Sequence, residues 1–177
     1  MSGAALLAAF ACLEVVVSAD DPLLAIRERL TSSKQQQCPS GMPGKDVSYS
    51  ELRVFTSEQA EERTWRVTGC SSATDPRDWK APGGSRLRKF RLAPNEYQRL
   101  KALLESPNVG SLSSFMNAGP GVGDYEVEIY RPSGVQRISV VALMPEHVEL
   151  RRDPTLLRLI CAAKQLSVVP QPSWCPR

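Results

Sequence analysis

The chain has 177 residues, 42% of them hydrophobic and 23% charged, which is the composition of one folded domain. This excludes a wholly disordered chain, a collagen-like repeat and a protein that crosses a membrane many times. The net charge of +3 is mild, and no set of aromatic residues accompanies the basic run at 86–91, so nucleic acid is not expected as a partner.

The N-terminus carries an apolar run over residues 4–17, interrupted only by Glu14. The run is shorter than the roughly 20 residues that a membrane-spanning helix needs. It ends in small residues, which predicts a signal peptide over 1–19 with cleavage near Ala19. No basic residue precedes the run, which is unusual for a signal peptide, and a short apolar helix packed on the domain is one alternative. Lipidation at Cys12 is another, because Ala11-Cys12 resembles a lipoprotein cleavage site. We expect an extracytoplasmic mature chain, periplasmic or secreted, without a stable membrane span.

Four cysteines remain after the predicted cleavage: Cys38, Cys70, Cys161 and Cys175. An even number in an exported chain predicts two disulfides. Three pairings are possible, and the shorter loops favour Cys38 with Cys70 and Cys161 with Cys175. No C-x-x-C spacing is present, which argues against a zinc knuckle or a redox-active dithiol. If the chain is not exported, four free thiols are the alternative.

The segment after the predicted signal favours a short amphipathic helix over residues 20–34. Leu23, Ile26 and Leu30 recur at helical spacing, and Pro22 suits a first helical turn. A polar stretch rich in glutamine and proline follows and is typical of a linker. Residues 20–45 are therefore predicted to form an N-terminal helix and linker.

A single α+β domain is predicted over residues 46–177. Helical spacing predicts two main helices, which begin at Pro94 and near Pro154. Period-two patterns predict strands at 49–55, 64–69, 86–92, 125–130 and 138–142, with loops at 56–63, 71–85 and 108–123. This order favours an antiparallel sheet of about five strands with both helices packed on one face. The other face would then show Glu126, Glu128, Arg137 and Ser139.

No cluster of residues predicts a catalytic, cofactor-binding or metal site. Glu126 and Glu128 are about 7 Å apart along a strand, but no aromatic set predicts a sugar-binding pocket around them. The single histidine, His147, has no nucleophile beside it in the sequence, and it argues against a metal site built from several histidines. The basic run at 86–91 is interpreted as a solvated strand face. We therefore expect a protein that is not an enzyme and holds no cofactor.

Exposed loops on a disulfide-stabilised scaffold are suitable contact surfaces. Trp79 in the 71–85 loop and Phe115 in the 108–123 loop are the candidate partner contacts. The main hypothesis is an exported non-enzymatic module that binds an unidentified protein. The alternatives are an extracytoplasmic small-ligand-binding or hydrolytic protein that uses Glu126, Glu128 or His147, and an envelope structural protein.

The second half of the chain resembles a known family over residues 86–166. The block 90–97 followed by Leu100, Leu103 and Leu104, then the 125–129 strand, the Gly134 turn and the closing segment to Leu166, is similar to emfourin-like proteins. This resemblance implies a small α+β domain that inhibits thermolysin-type metallopeptidases, and hence a secreted peptidase as partner. It assigns no inhibitory residue. The layout also resembles uncharacterised exported bacterial domains, which imply no activity.

Overall fold

In the computed structural model, which describes residues 21–37, 43–67, 85–117, 123–141, 154–169 and 175, one seven-stranded sheet carries three helices. The strands are β1 (Pro22–Gln37), β2 (Pro43–Phe55), β3 (Gln59–Val67), β4 (Arg86–Arg91), β5 (Phe115–Asn117), β6 (Gly123–Arg131) and β7 (Gly134–Val141); the helices are α1 (Pro94–Leu104), α2 (Pro107–Gly110) and α3 (Thr155–Leu166). The order across the sheet is β4-β3-β2-β1-β6-β7-β5, antiparallel throughout except for β5 beside β7. The predicted α+β class is confirmed, with more strands than the five expected.

The N-terminal segment is the central strand of the sheet, so the helix predicted over 20–34 is wrong. β1 pairs with β2 on one side and with β6 on the other. Leu24 and Ile26 face the helices, whereas Ala25 lies on the opposite face and is 1% exposed. Sequence periodicity does not distinguish a strand that is buried on both faces from a helix. Hydrogen bonding of β1 to a strand on each side outweighs the helical spacing of its apolar residues. The described part of 20–45 thus belongs to the sheet.

The β2–β3 connection is a tight turn, so the loop predicted over 56–63 is wrong. Only Thr56, Ser57 and Glu58 separate the two strands. The charged residues that follow are compatible with a strand because they meet partners on neighbouring strands. Glu58 has a φ of 63°, in the left-handed region that non-glycine residues seldom occupy.

The two long helices begin where proline signals predicted them. Pro94 occupies the first turn of α1, and the backbone N–H of Ala93 donates to the Glu96 carboxylate at 3.1 Å. Pro154 immediately precedes α3. The predicted loop over 108–123 holds more regular structure than expected, since part of α2 and all of β5 lie inside it.

The hydrophobic core lies between the sheet and helices α1 and α3. It combines alternate residues of the strands with the inward stripes of both helices. Its fully buried members include Leu24, Val54, Val127, Ile138, Leu100, Leu156, Leu159 and Ile160. Burial of each large side chain contributes about 1.5–3 kcal/mol relative to leaving it in water. We call the sheet surface that carries this core the helix face.

The β6–β7 hairpin has the predicted turn and both predicted strands, although β7 begins at Gly134, four residues before the predicted start. Gly134 closes it with a φ of 128°, a conformation that suits glycine. Glu126 lies opposite Ser139 and Glu128 opposite Arg137, all on the sheet surface that faces away from α1 and α3. We call this surface the ion-pair face; its central residues are Arg27, Glu51, Arg53, Glu126, Glu128 and Arg137.

A disulfide joins Cys161 in α3 to Cys175, with an S–S distance of 2.06 Å and Cα atoms 5.4 Å apart. The pairing predicted for these two cysteines is therefore present. Cys38, Cys70 and the predicted signal peptide lie outside the described residues. Among the described residues, no helix has the length and the apolar character that a membrane span requires.

Candidate functional site

A buried polar network lies on the helix face where α3 packs over the sheet. The Glu28 carboxylate, in a residue only 3% exposed, accepts hydrogen bonds from the Tyr125 hydroxyl and the Lys164 ammonium group. The Ser50 hydroxyl donates to the same carboxylate at 3.1 Å, and Lys164 also donates to Ser50 Oγ at 3.2 Å. These four groups satisfy one another, as charges removed from water must.

Tyr125 acts in this network as a neutral donor. Burial raises the pKa of its phenol, and the negative charge of Glu28 raises it further. The hydroxyl therefore keeps its proton at every pH where proteins normally work.

A groove of about 310 Å³ opens beside the network near the end of α3. Its lining includes Leu30, Ser48, Thr64, Arg66 and Val169, together with Glu28 and Ser50 from the network. The groove thus brings a buried carboxylate and a hydroxyl group within reach of a small polar molecule.

A second buried carboxylate holds the C-terminal end of α3 to strand β3. Glu62, 2% exposed, accepts hydrogen bonds from the Ser167 hydroxyl and from the backbone N–H groups of Val168 at 3.1 Å and Val169 at 3.4 Å. Arg88 on β4 lies 3.6 Å away and partly balances its charge. The residues after α3 are thereby fixed next to the groove.

Arg27 is the centre of the ion-pair face. Its Nε donates to Glu51 at 2.9 Å, its Nη1 donates to Glu126 at 3.2 Å, and its Nη2 lies 3.4 Å from Glu128. Arg53 meets Glu51 at 2.9 Å, and Arg137 meets Glu128 at 2.9 Å. The adjacent strands β2, β1, β6 and β7 thus support a continuous lattice of alternating charges.

The lattice shifts the pKa values of its members. Burial alone would lower the pKa of Arg27, but the hydrogen bond that it donates to Glu51 and the charges of the three carboxylates raise it overall. Burial alone would raise the pKa of Glu128, but hydrogen bonds from Arg137 and Tyr130 and the charge of Arg27 lower it overall. Both groups therefore remain ionised over a wider pH range than usual.

The structure places Glu126 and Glu128, the predicted carboxylate pair, inside this lattice. Each is engaged by arginine, and Glu128 also accepts a hydrogen bond from Tyr130 at 2.8 Å. Both carboxylates are therefore engaged in ion pairs. His147, the third candidate residue of the hydrolytic alternative, lies outside the described residues.

Strand β4 forms one edge of the sheet and carries the basic run. Among the described strands, only β3 pairs with β4. Arg91 lies 3.1 Å from Glu58, and Lys89 forms an ion pair with Glu61. The side chains of Lys89 and Arg91 are 68% and 76% exposed, so the run lies on a solvated strand, as predicted.

The two predicted partner contacts stay predictions. Phe115 is the first residue of β5, at the opposite edge of the sheet from β4. Trp79 lies outside the described residues, as does most of its loop.

Sequence reasoning missed the buried network, although a signal was present. Lys164 falls on the same helical stripe as Leu156, Ile160 and Ala163, and Glu28 has the same strand parity as Ile26. A charge that interrupts an apolar stripe on each of two elements indicates a buried pair between them.

No protein-family model and no curated protein matches this sequence. Within the described ranges, no group of three or more histidine, cysteine, aspartate or glutamate residues is placed to hold a metal ion.

Proposed function

We propose that this chain is an exported, non-enzymatic module that binds another protein through the ion-pair face. The observation that carries the proposal is the ordered lattice around Arg27, whose side chain is only 16% exposed, with Arg53 and Arg137 at its margins, 44% and 68% exposed. Export is supported by the apolar run at 4–17 and by the Cys161–Cys175 disulfide, because disulfides persist outside reducing compartments.

The shape and composition of this face suit a protein partner. Small ligands bind in concave pockets, whereas Arg53 and Arg137 lie on a sheet face and keep 44% and 68% of their side chains exposed. Protein interfaces are enriched in arginine and tyrosine, which Arg53, Arg137 and Tyr130 provide here. Carboxylates hold these side chains in place before the partner arrives, so less conformational entropy is lost on binding.

The test is affinity capture with matched variants. The oxidised protein is immobilised and exposed to the extracytoplasmic fraction of its source, and retained proteins are identified by mass spectrometry. Arg53→Ala/Arg137→Ala alters the exposed margin of the ion-pair face. Arg99→Ala/Arg158→Ala removes the same charge from exposed positions on α1 and α3 and serves as the control.

We expect one protein to be retained by the wild type and the control but reduced about tenfold on the ion-pair-face variant, because interface arginines commonly contribute more than about 1 kcal/mol each. Equal retention by both variants would show that the ion-pair face does not bind. A folded bait that retains nothing would contradict the proposal as a whole.

Peptidase inhibition is the form of binding that the resemblance to emfourin-like proteins supports. The assay is a titration of a thermolysin-type metallopeptidase with the protein, read as residual peptidase activity. Stoichiometric loss of activity that the Arg53→Ala/Arg137→Ala variant weakens would identify the inhibited class. Full peptidase activity in the presence of excess protein would remove this class of partner and leave protein binding in general untouched.

A second candidate function, binding of a small polar ligand, is favoured by the groove beside Glu28 and Ser50. A carboxylate and a hydroxyl in the lining suit an amine or a polyol. Such a ligand should raise the unfolding temperature of the wild type but not of Ser48→Trp, whose larger side chain fills the groove. A screen of amines and polyols with no stabilising compound would count against this function.

A further inference from the structure

We infer that the outer edge of β4, with which no described strand pairs, accepts an extended acidic segment of the partner protein as an additional strand of the sheet. This inference rests on the proposed function, because it names how the partner is held and which chemistry it brings. β4 has six residues and is about 20 Å long, enough for a short added strand.

Within the described residues, the backbone of β4 presents unpaired groups along this edge at every second residue. The N–H of Leu92 donates to the carbonyl oxygen of Glu58 at 2.9 Å, in register with the β3–β4 ladder. Hydrogen-bonded pairs alternate with non-hydrogen-bonded pairs in an antiparallel ladder, so Arg88 and Phe90 direct their backbone groups toward β3. The N–H and C=O groups of the intervening residues point away from β3. These are Leu87, Lys89 and Arg91.

The net positive charge of the chain lies beside this edge. Residues 58–67 and 86–91 contain six basic and three acidic residues, which leaves equal numbers of the two in the rest of the chain. The net charge of +3 therefore lies in this region. It attracts an acidic segment and repels a second copy of β4, which would bring four basic residues against four.

An added strand would continue the ion-pair face. Across the sheet, Leu87 lies in one row with Arg63, Glu51 and Arg27, because these residues are successive cross-strand neighbours. The side chains of Leu87, Lys89 and Arg91 thus share that face. Leu87 is 44% exposed, so a segment that alternates acidic and apolar residues matches both the charge and the apolar surface of β4.

Hydrogen exchange measured by NMR on the oxidised full-length protein tests the inference. The probe is an eight-residue peptide of alternating glutamate and valine; the control peptide has lysine in place of glutamate. Without peptide, the amides of Leu87, Lys89 and Arg91 should exchange fast and those of Arg88 and Phe90 slowly. The acidic peptide should slow the first three by about tenfold or more, because they gain hydrogen bonds, and the lysine peptide should not.

A pair of variants separates strand addition from attraction between charges. Leu87→Pro removes one outward N–H, whereas Leu87→Ala keeps it and loses a similar apolar contact. Strand addition predicts that Leu87→Pro binds the acidic peptide several-fold more weakly than Leu87→Ala. Equal binding by the two variants would overturn the inference, and so would slow exchange of these amides in the free protein, since the chain itself would then occupy the edge.

The two proposals fail in different ways. If the acidic peptide leaves the β4 amides unprotected while the ion-pair face still captures a protein, strand addition is wrong and the proposed function stands. If the peptide protects these amides but the wild type captures no protein from its source, the proposed function is wrong and the edge binds only isolated acidic strands.

Discussion

The two faces of the sheet hold charge in opposite ways. On the helix face, Glu28 and Lys164 are 3% and 4% exposed. On the ion-pair face, Arg27 meets three carboxylates, two of them buried, and only the neighbouring Arg53 and Arg137 remain well exposed, at 44% and 68%. A buried pair stabilises the fold only while both partners are present, whereas an exposed pair contributes about 0–1 kcal/mol. Loss of one partner from the first network should therefore destabilise the fold strongly, whereas the second network leaves arginines for a partner.

The largest effect is expected from Lys164→Met. The substitution leaves the Glu28 carboxylate buried without its cation and should lower the free energy of unfolding by about 3–5 kcal/mol. Urea unfolding measures the loss. In the double variant Glu28→Gln/Lys164→Met, which buries no charge at this site, much of the stability should return. A loss under about 1 kcal/mol in the single variant would contradict the central role of this pair.

Removal of the disulfide, on the same side of the molecule, should have the next largest effect. The bond ties Cys175 to α3, the helix that carries Lys164, across a separation of 14 residues. Closure of such a loop contributes about 3 kcal/mol by restricting the unfolded chain. Cys161→Ala/Cys175→Ala should therefore unfold at lower urea concentration than the wild type. Unchanged unfolding would mean that α3 is held by packing alone.

An intermediate effect is expected from Arg27→Met on the ion-pair face. The variant leaves three carboxylates close together without their shared cation, and hydrogen bonds to charged groups contribute about 1.5–3 kcal/mol. Because part of the lattice is solvated, the loss in urea unfolding should be smaller than for Lys164→Met. A larger loss would reverse the comparison between the two faces.

The smallest effect is a change in pH dependence. The pKa of Glu128 is lowered in the folded protein, so its contribution is complete above its unfolded pKa of about 4.3 and is lost as pH falls through the folded value. Glu128→Gln should flatten the decline of the urea midpoint below about pH 4. An equal fall of the urea midpoint at acid pH in both proteins would show that Glu128 is not the titrating group.

Elements with simple periodicity were predictable from the sequence. The β6–β7 hairpin follows from strict alternation around Gly134, and both long helices follow from leucine spacing after Pro94 and Pro154. In these elements one surface is apolar and the other polar, so a single period dominates the pattern. The Cys161–Cys175 bond followed from loop length.

Elements whose environment comes from distant partners were not predictable. β1 has buried residues on both faces, which removes the alternation that marks a strand. Glu62 gives the β3 sequence the polarity of a loop. Its partners, Arg88 and Val168, are distant in the sequence, so the burial of its carboxylate could not be foreseen. Arg27 and Lys164 pair with carboxylates on other elements of the fold. A single sequence does not show the register between strands, so these pairs could not be predicted.

Affinity and stability measured on the same variants give the most direct test of the contrast between the faces. The captured partner is titrated calorimetrically into the wild type, Arg53→Ala/Arg137→Ala and Ser50→Ala, and each protein is unfolded in urea. The ion-pair-face variant should lose affinity and keep its stability within about 1 kcal/mol, because exposed ion pairs contribute little. Ser50→Ala should lose about 1 kcal/mol of stability, because Glu28 and Lys164 lose a hydrogen-bond partner, and keep its affinity. Full affinity in the ion-pair-face variant, or lost affinity in Ser50→Ala, would contradict this division of roles between the two faces.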